Sequence, residues 1–80
     1  MGKSSVAFVL IMCSSESVES IIKQIDEIDT VTETAAVDGP WRIIAKLEAI
    51  DLDHIREAIR WKLRKMDGIE STLTLVEYMS

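Results

Sequence analysis

VTETAAVDGPWRIIAKLEA, residues 31–49, holds two strand-like runs on either side of one turn signal. Val31–Val37 alternates Val31, Glu33, Ala35 and Val37 against Thr32, Thr34 and Ala36, the period-two pattern of a half-covered edge strand. Beyond Asp38-Gly39-Pro40-Trp41, one face carries Ile43, Ala45, Leu47 and Ala49, and the other carries Arg42, Ile44, Lys46 and Glu48. Gly39 tolerates positive φ and Pro40 fixes its own φ. A residue before proline is also steered out of the helical region, so the chain must turn here.

Upstream of this pair, Val6–Cys13 (VAFVLIMC) is apolar on both faces: Val6, Phe8, Leu10 and Met12 on one, Ala7, Val9, Ile11 and Cys13 on the other. A strand of that kind belongs inside a sheet. Ser14 or Ser15 is expected to cap the next helix, whose Val18, Ile21, Ile22, Ile25 and Ile28 form one face. Downstream, Asp51 caps a second helix with a buried stripe of Leu52, Ile55, Ile59, Leu63 and Met66, and Gly68 ends it. Ile69–Met79 is the last strand, with Thr72, Thr74, Val76 and Tyr78 on one face and Leu73 and Leu75 on the other. The order β-α-β-β-α-β predicts an α+β, ferredoxin-like domain over residues 1–80: a four-stranded antiparallel sheet with two helices on one face.

That arrangement leaves one sheet face open although the first strand is apolar on both. Four such side chains left in water forgo about 1.5–3 kcal/mol each. The open face is therefore expected to pack against a second copy of the chain.

Bulk composition narrows the function classes. With 80 residues, one domain is expected, and its stability of about 0.05–0.15 kcal/mol per residue leaves little margin. Hydrophobic residues make up 48% and aromatic residues 5%, so the core is aliphatic and the chain is ordered. A net charge of −5 argues against direct nucleic-acid binding. The apolar run Val6–Cys13 is too short to span a membrane and marginal for a signal core, and no convincing cleavage motif follows it. With one cysteine and no internal disulfide, a cytoplasmic chain is expected.

Candidate chemical residues are few. Cys13 ends an apolar strand with no histidine beside it and reads as a buried thiol. His54 stands alone among Asp51, Asp53 and Glu57 and reads as a solvated helix residue, so no metal site or cofactor is expected. Trp61 falls opposite Ile59 and is either an exposed anchor for another subunit or a ring lying under Arg and Lys stems. Arg56, Arg60, Lys62, Arg64 and Lys65 spread around the helix and read as a solvated face with local salt bridges. No triad, carboxylate pair or phosphate loop is visible, so the chain is expected not to be an enzyme.

Three stretches, AAVDGPWRIIAKLEA, LDHIREAIRWKLRKMDGIESTLTLV and the opening VAFVLIM, resemble the effector-binding (RAM) domain of Lrp/AsnC feast/famine transcription regulators. The resemblance covers nearly the whole chain. It implies a domain that dimerises through its sheet, often forms rings of dimers, and binds a small amino-acid effector between dimers. The helix-turn-helix that precedes this domain in the family has no counterpart before the first strand, so a stand-alone domain is expected. Such a domain would modulate full-length Lrp/AsnC regulators without gripping DNA. By resemblance the effector lies near Gly39, Pro40 and Trp41 of the turn and Thr72 and Thr74 of the last strand. The family turn carries Asp where this chain has Arg42. A guanidinium has five donors and no acceptor, so an effector ammonium would need backbone carbonyls or Asp38. The effector is then expected to differ from the family norm, to be more acidic, or to be absent. A ligand-free assembly module is the alternative, with a dimeric α/β-barrel enzyme as the third reading.

Overall fold

A strand apolar on both faces has to lie inside a sheet, and β1 (Ser5–Cys13) does so in the computed structural model, which describes residues 5–77. It pairs antiparallel with β3 (Ile43–Ala49) on one side and with β4 (Ile69–Val76) on the other. The edge strand β2 (Val31–Ala36) joins β3, giving the order β2-β3-β1-β4. Helix α1 (Val18–Asp26), entered through a 3₁₀ turn at Ser15–Ser17, packs on one sheet face. Beside it lies α2 (Leu52–Ala58), which continues as a π-helical turn over Ile59–Leu63. The expected β-α-β-β-α-β architecture is the observed one, with the first and third strands central.

Register decides which residues meet the helices. Val9 stands opposite Ala45 and Thr74, and Ile11 stands opposite Ile43 and Thr72, so these residues share the helix-covered face. Ile11, Ile43 and Leu47 are fully buried there, under Ile21 and Ile25 of α1 and Ile55 and Leu63 from the second helical segment. Each such aliphatic side chain contributes about 1.5–3 kcal/mol on leaving water. Among the described residues the buried core contains no aromatic ring and no polar residue, as the composition implied.

The opposite face carries Phe8 between Lys46 and Leu75, and Leu10 between Ile44 and Leu73. Val6, Phe8, Leu10, Met12 and Ile44 are only half-buried, and Leu73 and Leu75 are 44% and 49% exposed. A Lys46–Glu48 ion pair at 3.4 Å borders this apolar surface.

Three expectations need correction. Val31 was expected to share a face with Glu33 and Ala35, but the pairing shifts between Val31 and Glu33. Val31 opposes Leu47 while Glu33 opposes Lys46, so Thr32 is an extra bulged residue whose hydroxyl donates to the Lys46 carbonyl at 3.3 Å. Val31, Thr34 and Ala36 therefore face the helices, and the Thr34 hydroxyl donates to Asp26 of α1 at 2.9 Å. Second, the Ser14 hydroxyl makes no helix cap; it meets the Ser17 hydroxyl at 2.9 Å, because a 3₁₀ turn intervenes before α1. Third, the last strand ends at Val76, and Tyr78 and Met79 lie outside the described residues.

The π-helical turn has a readable cause. Ile55, Ile59 and Leu63 are four residues apart, and in a regular helix each step of four drifts about 40° around the axis. The wider turn, marked by the Arg64 N–H donating to the Ile59 carbonyl at 2.8 Å, counters the drift and keeps Leu63 fully buried.

Gly68 follows with φ +96°, where a Cβ would sit 3.4 Å from both Ile21 Cδ1 and Ser17 Oγ. Gly68→Ala is expected to cost about 1–2 kcal/mol through the left-handed backbone alone. Urea denaturation reads this directly, and an unchanged midpoint would refute it.

Candidate functional site

The hinge between β2 and β3 is held by backbone bonds. The Val37 N–H donates to the Arg42 carbonyl at 2.8 Å and closes the loop, and the Arg42 N–H donates to the Ile11 carbonyl at 2.9 Å and ties it to β1. Asp38, Gly39 and Pro40 are exposed, while Trp41 and Arg42 are half-buried. Gly39 has φ +146° and open space around it, so the backbone rather than crowding requires glycine.

Thr72 opposes Ile11 across the other flank of β1, and Thr74 opposes Val9 two residues further along. Arg42 and Thr72 thus sit at the same end of the sheet with β1 between them. Of the expected set of Asp38, Gly39, Pro40, Trp41, Arg42, Thr72 and Thr74, the two threonines line clefts that none of the five hinge residues lines. Thr72 lines a cleft of 290 Å³ with Arg64, Ile69, Glu70 and Ser71. Thr74 and Val76 line a groove of 340 Å³ with Arg56, Ile59, Arg60 and Arg64. Both spaces open beside the second helical segment.

The arginine wall is a feature that residue-by-residue reading missed. Arg56, Arg60 and Arg64 form one ridge, whereas Lys62 joins Trp61 and His54 around a separate cleft. The four-residue spacing was the available signal. Within the described residues, local salt bridging of this cluster amounts to Arg56 with Asp53 at 3.8 Å.

The remaining candidates resolve simply. Cys13 is buried, as expected, and burial followed by nearby Glu70 pushes its thiol pKa up, with Arg42 opposing. Trp61 is 58% exposed, with the Lys65 ammonium 4.6 Å from its ring centroid, the arrangement expected of a ring lying under a lysine stem. Among the described residues no cluster of three or more His, Cys, Asp or Glu side chains could hold a metal. No helix among them is long and apolar enough to cross a membrane.

Asp51 caps α2 as expected, accepting from the His54 backbone N–H at 2.9 Å and from His54 Nδ1 at 2.7 Å. The hydrogen bond to Asp51 raises the imidazole pKa above its ordinary value, and the bonds to His54 lower that of Asp51. The contact therefore stabilises fully between the ordinary aspartate value of about 3.9 and the ordinary histidine value of about 6.5. Its histidine part is lost as pH rises through the folded His54 pKa, and its aspartate part as pH falls through the folded Asp51 pKa. An NMR titration is expected to give His54 a midpoint above that of Asp51→Ala. Coincident midpoints would refute the pairing.

Sheet order and helix placement define a ferredoxin-like α+β domain. A sequence-family profile described as the Lrp/AsnC ligand binding domain matches residues 6–78, and the chain belongs to that family. It is 30% identical over 79 residues to an HTH-type transcriptional regulator of Pyrococcus furiosus, covering 95% of this chain and 53% of that protein. The chain spans about half the length of the curated relatives it matches. TTHA0845 of Thermus thermophilus superposes with a TM-score of 0.89 at 26% identity, covering 95% of both chains. AsnC of E. coli gives a TM-score of 0.87 at 25% identity, over 95% of this chain and 52% of that one. The family is one of transcription regulators rather than of enzymes.

Proposed function

We propose that this domain dimerises through its open sheet face, binds a small amino-acid-like effector between dimers, and thereby modulates Lrp/AsnC-type regulators in the cytoplasm. It contributes no DNA contact of its own, in keeping with a net charge of −5. The observation that carries the reading is family membership across residues 6–78, joined to a hinge whose backbone is fixed by the Val37 and Arg42 bonds. Asp38, Gly39, Pro40, Trp41 and Arg42 form the effector rim, and Thr72 and Thr74 supply hydroxyls. Arg42 favours an anionic group on the effector, and Asp38 is the nearest carboxylate in sequence for its ammonium.

A thermal-shift panel of amino acids, with oligomer mass measured alongside, tests this. Ligand at ~100 times its dissociation constant adds about 2.7 kcal/mol, a shift of several degrees in a domain this small. A flat panel with unchanged mass eliminates the effector. Arg42→Asp is expected to alter which amino acids respond, and an identical response removes Arg42 from the site. The seven-residue apolar surface of Val6, Phe8, Leu10, Met12, Ile44, Leu73 and Leu75 favours a ligand-free assembly module as the second reading.

A further inference from the structure

The ridge of Arg56, Arg60 and Arg64 runs beside β4, an edge strand with no hydrogen-bonded neighbour on its outer flank among the described residues. The chain is acidic overall, yet five of its nine basic residues fall between positions 56 and 65. Among the described residues, neither Arg60 nor Arg64 has an acidic partner within 4.0 Å; the ion pairs formed are Lys46–Glu48, His54–Asp51 and Arg56–Asp53. Like charges at four-residue spacing on a helix repel, so an unpaired ridge is destabilising by itself. It is stabilised when an anion arrives.

The geometry selects the anion. Arg64 lines the cleft with Thr72, and Arg56 lines the groove with Thr74 and Val76, so helix and strand run antiparallel along the same trough. Arg56 and Arg60 are about 6 Å apart along the helix, from an α-helical rise of about 1.5 Å per residue. Alternate side chains of an extended strand are about 6.6 Å apart. The two spacings match to within about 0.6 Å over that step. A fifth strand added at β4 would therefore bring two side chains of one face opposite the Arg56 and Arg60 guanidiniums, while β4 supplies main-chain bonds. Ile59 and Val76 give the trough an apolar floor, and exposed Thr74 lines it as well. Glu70 shares the Arg64 end of the trough, which favours carboxylates opposite Arg56 and Arg60.

We infer that the trough between the Arg56–Arg60–Arg64 ridge and β4 docks an extended acidic peptide segment, with carboxylates at alternate positions, as an added strand. This surface is separate from the hinge rim of residues 38–42 and meets the proposed effector site only at the two threonines.

The test uses a seven-residue peptide alternating valine and glutamate, and a control of the same composition with its glutamates contiguous. Fluorescence anisotropy is expected to favour the alternating peptide, and Arg56→Gln and Arg60→Gln are each expected to weaken it about tenfold, the loss of one charge-assisted contact. Amide exchange at Thr72–Val76 should slow when the peptide binds. Equal binding of the two peptides, unchanged affinity in both variants, or binding without slowed exchange each overturns the proposal. Tighter binding of inorganic pyrophosphate or of a single-stranded oligonucleotide assigns the ridge to phosphate and overturns it too. Protection of β4 already present in the oligomer without peptide assigns the edge to a second copy and likewise overturns it.

Discussion

Leu10→Lys is expected to turn an associating chain into a monomer that keeps its fold. Leu10 is central on the open face, flanked by Ile44 on β3 and Leu73 on β4, and contributes nothing to the helix-covered core. If that face packs on a second copy, three large side chains leave water there at about 1.5–3 kcal/mol each. An ammonium in their midst removes one of those contributions and adds the cost of desolvating a charge. The dimer dissociation constant should rise at least about a hundredfold, equivalent to about 2.7 kcal/mol. Sedimentation equilibrium at matched concentrations gives the mass, and circular dichroism shows that the fold persists. A wild-type chain that sediments as a monomer, or a variant whose mass is unchanged, refutes packing through this face.

Ile11→Ala is expected to act on the opposite face and by another route. Ile11 is fully buried and stands between Ile43 and Thr72 in the sheet. Removing a buried isoleucine down to its Cβ costs about 2–5 kcal/mol, set by how far the neighbours can collapse. Aliphatic neighbours held on sheet and helix backbones collapse little. Against a total of about 4–12 kcal/mol for a domain of this length, the variant should lose between a sixth of its stability and all of it. Its melting temperature should fall by at least about 8 °C. Ile44→Ala, one residue beyond Ile43 and on the open face, should cost the monomer much less. Equal losses in the two variants would contradict the assignment of faces.

The contrast between those two isoleucines was legible in the chain, because alternation in β1 and β3 is uninterrupted and burial follows it residue by residue. Asp51 and Gly68 were legible too, since capping and left-handed turns depend on local chemistry. The face of Val31 was not. A bulge is a relation between two strands, and nothing within VTETAAV marks Thr32 as the residue without a partner. The 3₁₀ entry to α1 hid in the same way, since several serines in a row offer several equivalent starts. The candidate site was legible only in part. The hinge announces itself through Gly39 and Pro40, but the separation of Thr72 and Thr74 from it depends on the strand order, which inserts β1 between them. The arginine ridge needed the facing strand before its spacing acquired a meaning.

The bulge at Thr32 bears on a hazard common to open sheets, their tendency to stack edge to edge into fibrils. β2 is kinked early by its extra residue and carries Glu33 beside the kink, so its outer rim is neither straight nor neutral. The rim of β4 is irregular only near Glu70, where the pairing skips between Met12 and Cys13, and then runs straight from Ser71 to Val76. The two rims are protected unequally. Polymerisation of this domain, if forced by heat or concentration, should begin at β4, and guarding that rim becomes a condition for keeping the protein in solution.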